Sequence, residues 1–226
     1  MQYLTIIERI LRDRTTFFGE VRNQQDLRNK IVSMMISSFV FLAMYGLIMG
    51  ARHSLLQGIS SAIKLPILFL VTLIICTPSL YFFNLLFGSQ QTIGQFLSLI
   101  LTGITTNAVL LLSLAPVTFF FLLTTSVYPF YKLLNVVFFA IAGILGVAFL
   151  WQGYRSSIDE EQSTGRASRR LIFLLWVVLY AFVGSQMAWT LSPFMGNPEL
   201  EFMLVAQRGG NFYADVIASL RALLAP

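Results

Sequence analysis

The chain has 226 residues, of which 57% are hydrophobic and 11% are charged, and its formal net charge is +5. Soluble domains carry about 25% charged residues, so this composition excludes a water-soluble globular protein and leaves lipid as the solvent for much of the apolar surface. A single cysteine, Cys76, and a single histidine, His53, exclude a disulfide framework within the chain and a metal site built from these residue types.

The first predicted element is an amphipathic helix over Gln2–Arg12, with apolar and polar residues on opposite faces at helical spacing. Two interpretations fit it equally. In one, the helix lies on the cytoplasmic leaflet, where apolar insertion is reinforced by Arg9 and Arg12 as interfacial anchors at anionic headgroups. In the other, it packs under the bundle as an amino-terminal cap. Either way, residues 1–30 are predicted to form a cytoplasmic lead.

Five apolar stretches without Asp, Glu, Lys, Arg or His follow this lead. Each is long enough to cross the roughly 30 Å hydrocarbon layer, which requires about 20 apolar residues. They predict an all-α integral membrane protein, a five-transmembrane-helix bundle over residues 31–192 with an amphipathic helix at each terminus. The stretches are Ile31–Ala51, Leu65–Phe87, Phe96–Leu123, Phe130–Trp151 and Leu171–Leu191.

The connections between these stretches differ in character. The segment Arg52–Lys64 is predicted to lie along the far interface, with Pro66 in the first turn of span two, where a missing donor costs nothing. The short turns at residues 88–95 and 124–129 predict that spans two, three and four are sequential antiparallel neighbours.

The hydrophilic connection Gly153–Arg170 combines an acidic run with a basic cluster. Its arginines Arg166, Arg169 and Arg170 are predicted to anchor span five at the cytoplasmic interface. A loop that docks a partner is the alternative interpretation.

Residues 193–226 are predicted to form a tail on the far side, periplasmic or lumenal. Asn211 is a favourable cap for a final amphipathic helix over Phe212–Leu224. Its apolar face is expected to cover either the far membrane surface or another protein.

The distribution of Lys and Arg predicts the orientation. With five spans, ten of these residues fall on the side of the amino terminus and five on the opposite side. Basic segments stay in the cytoplasm, so we expect the amino terminus there and the carboxyl terminus across a bacterial inner membrane or a thylakoid membrane.

Two sets of uncharged residues are candidates for function. Small residues at close-packing spacing predict contacts between helices or with a partner; they are Gly46, Gly50, Ala142, Gly146, Ser185 and Ala188. The cluster Thr105, Thr106 and Asn107 in span three either bonds within the bundle or lines a polar path. The chain contains no nucleotide-binding, zinc-protease or serine-elbow motif, so we expect no catalytic residue, no metal and no cofactor.

The segment Ile6–Phe18, with its apolar pair, basic residue and aromatic pair ahead of five spans, resembles bacterial members of the Yip family of five-span proteins. Those proteins usually carry proline where Thr15 stands. The regions Pro116–Leu134 and Tyr180–Trp189 are similar to membrane proteins of cyanobacteria. The resemblance implies an all-helical membrane protein that acts through lipids or partner proteins, and a photosynthetic membrane is among the settings it implies.

Together these features predict a non-enzymatic accessory or scaffold protein that binds a larger membrane protein assembly. The alternatives are a permease component or small-solute channel, which would use the polar stripe of span three, and a lipid-sensing membrane organiser, which would use the amino-terminal helix. The predicted partners are the lipid bilayer and other membrane proteins, in a complex or a homo-oligomer, and no nucleic acid.

Overall fold

The computed structural model describes residues 2–160, 166–196, 201–205 and 209–224. Within these ranges the chain forms eight helices and no strand. The helices are α1 (Gln2–Arg12), α2 (Arg14–Arg22), α3 (Leu27–Gly50), α4 (Leu55–Leu86), α5 (Ile93–Thr124), α6 (Tyr128–Glu160), α7 (Arg166–Thr190) and α8 (Phe212–Leu224).

Helices α3 to α7 are each long enough and apolar enough to cross a membrane. The predicted fold class is confirmed: the protein is an all-α integral membrane bundle with five candidate spans. The loop 87–92 lies at the same end of the bundle as α1 and α2, which we call the amino-terminal end. The loops 51–54 and 125–127 lie at the opposite, carboxyl-terminal end.

The predicted start of span two was wrong, because α4 begins at Leu55 and not at Leu65. Ser54 is extended and its hydroxyl accepts a hydrogen bond from the Gln57 amide at 3.1 Å, so it caps the helix. The helix then continues through Lys64, and Pro66 lies in its interior instead of its first turn. The segment predicted to follow the interface is therefore a helical extension of the span.

Helix α3 is the centre of the bundle. It packs along both α4 and α5, while α5 packs on α6 and α4 packs on α7. The prediction that spans two, three and four are sequential neighbours holds for α5 and α6 but was wrong for α4 and α5. Those two helices leave their shared loop on either side of α3 and contact each other less extensively than either contacts α3.

Glycines on α3 bring its backbone against that of α4. A Cβ atom at Gly46 would lie 2.5 Å from the Ser61 carbonyl oxygen, and one at Gly50 would lie 2.6 Å from the Gln57 carbonyl oxygen. These distances are shorter than any real Cβ contact, so only glycine fits at either position. This close approach explains why α3 can contact two helices at once.

Helices α1 and α2 form a cap at the amino-terminal end. The apolar residues Ile6, Ile7 and Ile10 of α1 are buried, and α1 packs on α3 and α5. Phe17 of α2 is also fully buried. Of the two interpretations of the first helix, the structure therefore agrees with the bundle cap, because the apolar face that membrane insertion requires is enclosed by protein.

An ion-pair cluster joins the three helices at this end. The Lys30 ammonium of α3 lies 2.9 Å from Glu20 Oε2 of α2, and Arg9 of α1 pairs with the other oxygen of the same carboxylate. The hydrogen bond from Lys30 holds the pKa of the Glu20 carboxyl below its ordinary value, and Arg9 adds to this effect. The negative charge of Glu20 therefore stabilises the cap.

Exchange of Gly46 for alanine tests the contact between α3 and α4. We expect Gly46→Ala to destabilise the protein by about 2 kcal/mol because the new methyl group overlaps a backbone oxygen. In Gly143→Ala, the matched control, nothing lies within 4 Å of the added Cβ, and the better helix propensity of alanine predicts a gain of up to about 1 kcal/mol. The measurement is the midpoint at which the buried Cys76 thiol reacts with a fluorogenic dye on heating in detergent. Equal shifts for the two variants would contradict the packing described.

Exchange of Glu20 for glutamine tests the ion-pair cluster. Because the folded-state pKa is depressed, ionised Glu20 stabilises the fold above its unfolded-state pKa, and this contribution disappears as the pH falls through the folded-state pKa. We therefore expect Glu20→Gln to lower the unfolding midpoint at pH 7. The difference from wild type should shrink as the pH falls below the unfolded-state pKa of about 4.3, and it should vanish below the folded-state pKa.

Tryptophan fluorescence on heating measures the unfolding midpoints of wild type and of Glu20→Gln at each pH. Glu8→Gln is the control, because Glu8 pairs with Arg12 on the exposed surface and such pairs contribute little. A difference between Glu20→Gln and wild type that persists unchanged at acidic pH would show that the carboxylate charge is not the cause.

Candidate functional site on the seventh and eighth helices

The polar stripe of α5 lies inside the bundle and is bonded there. Thr105 Oγ1 donates to the Leu101 carbonyl at 2.8 Å and lies 3.0 Å from Ser38 Oγ of α3. Thr106 Oγ1 donates to its own helix at 2.8 Å. Asn107 is also buried, and its Oδ1 has no hydrogen-bond partner. Both threonines therefore bond to the backbone of α5, and Thr105 also contacts α3. Of these three residues, only Asn107 has a polar atom without a hydrogen-bond partner.

A second polar network joins α3, α5 and α6 nearer the carboxyl-terminal end. The Tyr45 hydroxyl donates to Asn135 Oδ1 at 2.7 Å and receives a hydrogen bond from Thr118 at 3.2 Å. The ring of Phe139 on α6 contacts the rings of Tyr45 on α3 and Phe69 on α4, at centroid distances of 5.7 and 6.5 Å. Side chains from four spans therefore meet at this level.

The predicted small residues separate into two groups. Gly46 and Gly50 contact α4, while Gly146 contacts Gly103 of α5, whose carbonyl oxygen would lie 2.9 Å from an added Cβ. Ala142 of α6 is fully buried. Ser185 instead faces α8, with its hydroxyl 3.0 Å from that of Tyr213, and Ala188 on the same helix is partly buried. The first group packs spans within the chain, and the second lies on α7.

Arg169 was predicted to be an interfacial anchor, and that prediction was wrong. Its side chain is 0% exposed. The guanidinium donates from Nε to Asn84 Oδ1 of α4 and from Nη2 to Ser89 Oγ of the following loop, both at 3.3 Å. The Tyr154 hydroxyl of α6 donates to the same Asn84 oxygen. Arg169 therefore joins the start of α7 to α4 and the following loop, and the Tyr154 hydroxyl, which also contacts the Arg169 carbonyl at 3.3 Å, adds α6 to this Arg169 cluster.

The other predicted anchors have different environments. Arg9 pairs with Glu20 in the cap, and Arg170 is half-buried. The side chain of Arg12 is 79% exposed and pairs at 2.8 Å with Glu8 one turn earlier, on the surface. The side chain of Arg166 lies outside the described part of the chain. Arg12 is the predicted anchor that remains open to headgroups.

Aromatic side chains hold one face of α7 against its neighbours. Phe173 stacks on Tyr154 at a centroid distance of 4.6 Å and contacts Trp151 at 5.1 Å, both on α6. Further along α7, Trp176 Nε1 donates to the Cys76 carbonyl of α4 at 2.7 Å. That carbonyl lies in the turn before Pro78. Between Arg169 and Trp176, helix α7 is therefore attached to α4 and α6 along one side.

The opposite side of α7 is a continuous apolar surface, which we call the α7 outer face. In the most apolar 18-residue stretch of α7, only 11% is buried, compared with 56% in that of α4. Of the five spans, α7 has the smallest buried share of its apolar stretch. Its residues are Leu171, Leu174, Leu175, Val178, Leu179 and Phe182.

Helix α8 extends from the predicted first residue to the predicted last, with Asn211 Oδ1 accepting from the Ala214 amide at 2.9 Å. It packs on α6 and α7. Asp215 forms an ion pair with Lys132 of α6, and Tyr213 contacts Ser185 of α7. Two contacts on different spans therefore fix the position of this helix.

The segment after α7 folds back over the start of α4. Gln57 Nε2 donates to the Pro193 carbonyl at 2.7 Å, and the buried Lys64 ammonium donates to the same carbonyl at 3.2 Å. Lys64 also donates to the Leu204 carbonyl. A lysine inside a span is therefore satisfied by backbone oxygens from distant parts of the chain.

Sequence reasoning missed the roles of Arg169, Lys64 and Tyr45. For Arg169 the sequence did contain a signal. The polar residue Asn84 near the end of span two can accept a hydrogen bond from a cation on another helix. In the described ranges, no three His, Cys, Asp or Glu side chains come close enough to hold a metal ion.

Replacement of Arg169 tests its structural role. We expect Arg169→Ala to destabilise the protein by about 3 kcal/mol, because Asn84 and Ser89 lose a charged partner inside the protein. Arg12→Ala should change stability by less than about 0.5 kcal/mol, since its side chain is exposed. Dye labelling of Cys76 on heating compares the two. If both variants matched wild type, Arg169 would not hold the helix ends together.

Comparison with family models, curated proteins and solved structures finds no match to this chain. The resemblance to Yip-family and cyanobacterial membrane proteins therefore stays a prediction.

Proposed function

We propose that the protein is a non-enzymatic membrane scaffold that binds a larger membrane protein assembly through the α7 outer face. The observation that carries this proposal is the one-sided attachment of α7. One side of the helix is fixed to α4 and α6 by aromatic stacking and by the Arg169 cluster. The other side offers only uncharged aliphatic and aromatic side chains.

Such a helix is suited to contact a span of another protein. A rigid apolar ridge loses little conformational entropy when a second helix packs along it, and association of helices in lipid depends on this kind of packing. The interior gives less support to the transport alternative, because Thr105 and Thr106 bond within the bundle and the buried Tyr45 bonds to Asn135 and Thr118. The lipid-sensing alternative loses the free apolar face of α1 that it requires.

The proposed orientation puts the amino-terminal end in the cytoplasm of a bacterial inner membrane or on the equivalent side of a thylakoid. The support is the excess of Lys and Arg in segments on that side. The partner that fits is a hydrophobic transmembrane helix without ionisable groups at the depth of Val178.

Site-specific photocrosslinking in native membranes tests the proposal. A benzoylphenylalanine residue replaces Val178 on the α7 outer face or, as the matched control, Ile144 on α6; the two side chains are 68% and 70% exposed. We expect a protein adduct of one discrete mass at position 178 and only lipid adducts at position 144.

A second pair of variants tests whether the contact matters for assembly. Val178→Trp should remove co-migration with the assembly on native gels after mild solubilisation, and Ile144→Trp should retain it. Recovery of a solitary monomer from wild-type membranes, together with lipid adducts alone at both positions, would eliminate the scaffold function.

A further inference from the structure

Helix α8 divides into three faces. Its inward face is set by Phe212, Asp215, Val216 and Ser219, at the spacing i, i+3, i+4, i+7. The apolar residues Tyr213, Ile217, Leu220 and Leu224 recur at i, i+4, i+7, i+11 and are exposed on one flank. The other flank carries the exposed residues Ala214, Ala218 and Arg221.

This arrangement differs from that of an amphipathic helix that covers a protein core. Sequence periodicity predicted one apolar face, yet the structure turns the polar residues Asp215 and Ser219 inward and leaves most of that face outside. The ion pair between Asp215 and Lys132 fixes this rotation. Four large apolar side chains are thereby held away from the protein, which costs free energy in water but not in hydrocarbon.

The contacts of α8 also set its depth. Lys132 lies one turn from the start of α6, and Ser185 lies about one and a half turns from the end of α7. At 1.5 Å per residue, both positions are roughly 6–8 Å inside the helix ends. This is the depth at which an interfacial helix lies, with its apolar face about 5–10 Å into the boundary between headgroups and acyl chains.

Exposed apolar residues of the candidate spans lie close in the chain to both contacts of α8. Val137 follows Lys132 on α6, and Phe182 precedes Ser185 on α7. The opposite flank, with two alanines and Arg221, suits headgroups and water. The inward face of α8 therefore contacts protein, the apolar flank suits hydrocarbon, and the opposite flank suits the aqueous boundary.

We propose that α8 lies in the plane of the membrane at the carboxyl-terminal end, with Tyr213, Ile217, Leu220 and Leu224 against the acyl chains of that leaflet. The occupant of this surface is lipid and not a second protein. The helix contacts both α6 and α7 at this end and covers the gap between them. At the other end, Phe173 of α7 packs directly on Tyr154 of α6. This inference does not depend on the proposed function.

Nitroxide accessibility in nanodiscs tests the proposal with the purified protein. In a Cys76→Ala background, a spin label is attached to Leu220→Cys on the apolar flank or to Ala218→Cys on the opposite flank. Power saturation with oxygen, which partitions into lipid, and with a water-soluble nickel chelate then gives the depth of each label. We expect oxygen to dominate at position 220 and the nickel chelate at position 218.

Three outcomes are distinguishable. Opposite preferences at the two positions support the lipid-facing helix. Dominance of the nickel chelate at both positions would place α8 in water and overturn the proposal. Protection of position 220 from both reagents would mean that protein covers the flank, which also overturns it. Because the nanodiscs contain only this chain, the result is independent of whether the α7 outer face has a partner.

The ion pair gives a second measurement that does not require a label on the flank itself. With the label at Ala218→Cys, Asp215→Asn should broaden the range of label orientations and raise its mobility, because the rotation of α8 is no longer fixed. Glu201→Gln, an exposed carboxylate in the preceding segment, serves as the control. Unchanged mobility in Asp215→Asn would show that the pair does not set the orientation of the helix.

Discussion

The contact between α3 and α4, backbone against backbone at Gly46 and Gly50, determines where the other spans lie. Since no side chain separates these helices, α3 has the opposite side free for α5. Helix α6 then packs on α5 through a similar close approach of Gly103 and Gly146, and α7 packs on α4. The last span in the sequence thus lies at the periphery, attached to α4 and α6 on one side and largely exposed on the other.

Charged side chains join the ends of the helices, whereas the middle of the bundle contains apolar packing and hydrogen bonds between uncharged side chains. At the carboxyl-terminal end, Arg52 donates to the Thr125 carbonyl at 2.7 Å, Lys64 to carbonyls of the tail and Lys132 to Asp215. Each of these cations joins a different pair of elements. At the other end, the Glu20 cluster and the Arg169 cluster do the same. Ionic contacts at helix ends cost less desolvation than contacts in the hydrocarbon, which explains their distribution.

The sequence predicted those features that depend on local periodicity. Helices over Gln2–Arg12 and Phe212–Leu224 end at the predicted residues, because amphipathic spacing and the Asn211 cap are local signals. The start of α4 was misplaced because Lys64 looked like a boundary, whereas its partners lie in the distant tail. The burial of Arg169 and the rotation of α8 depend on which helices meet, and no local pattern encodes that. The small residues of the candidate site were identifiable from their spacing, but the open side of α7 was not.

The partners of Lys64 have a consequence for synthesis. Its ammonium group is satisfied by the carbonyls of Pro193 and Leu204, which leave the ribosome more than a hundred residues later. During that interval, and in any chain released early, α4 carries a lysine whose described acceptors do not yet exist. Completion of the C-terminal tail is thus a step in the assembly of the second span, and truncated products differ from the finished protein in the environment of α4 as well as in the missing tail.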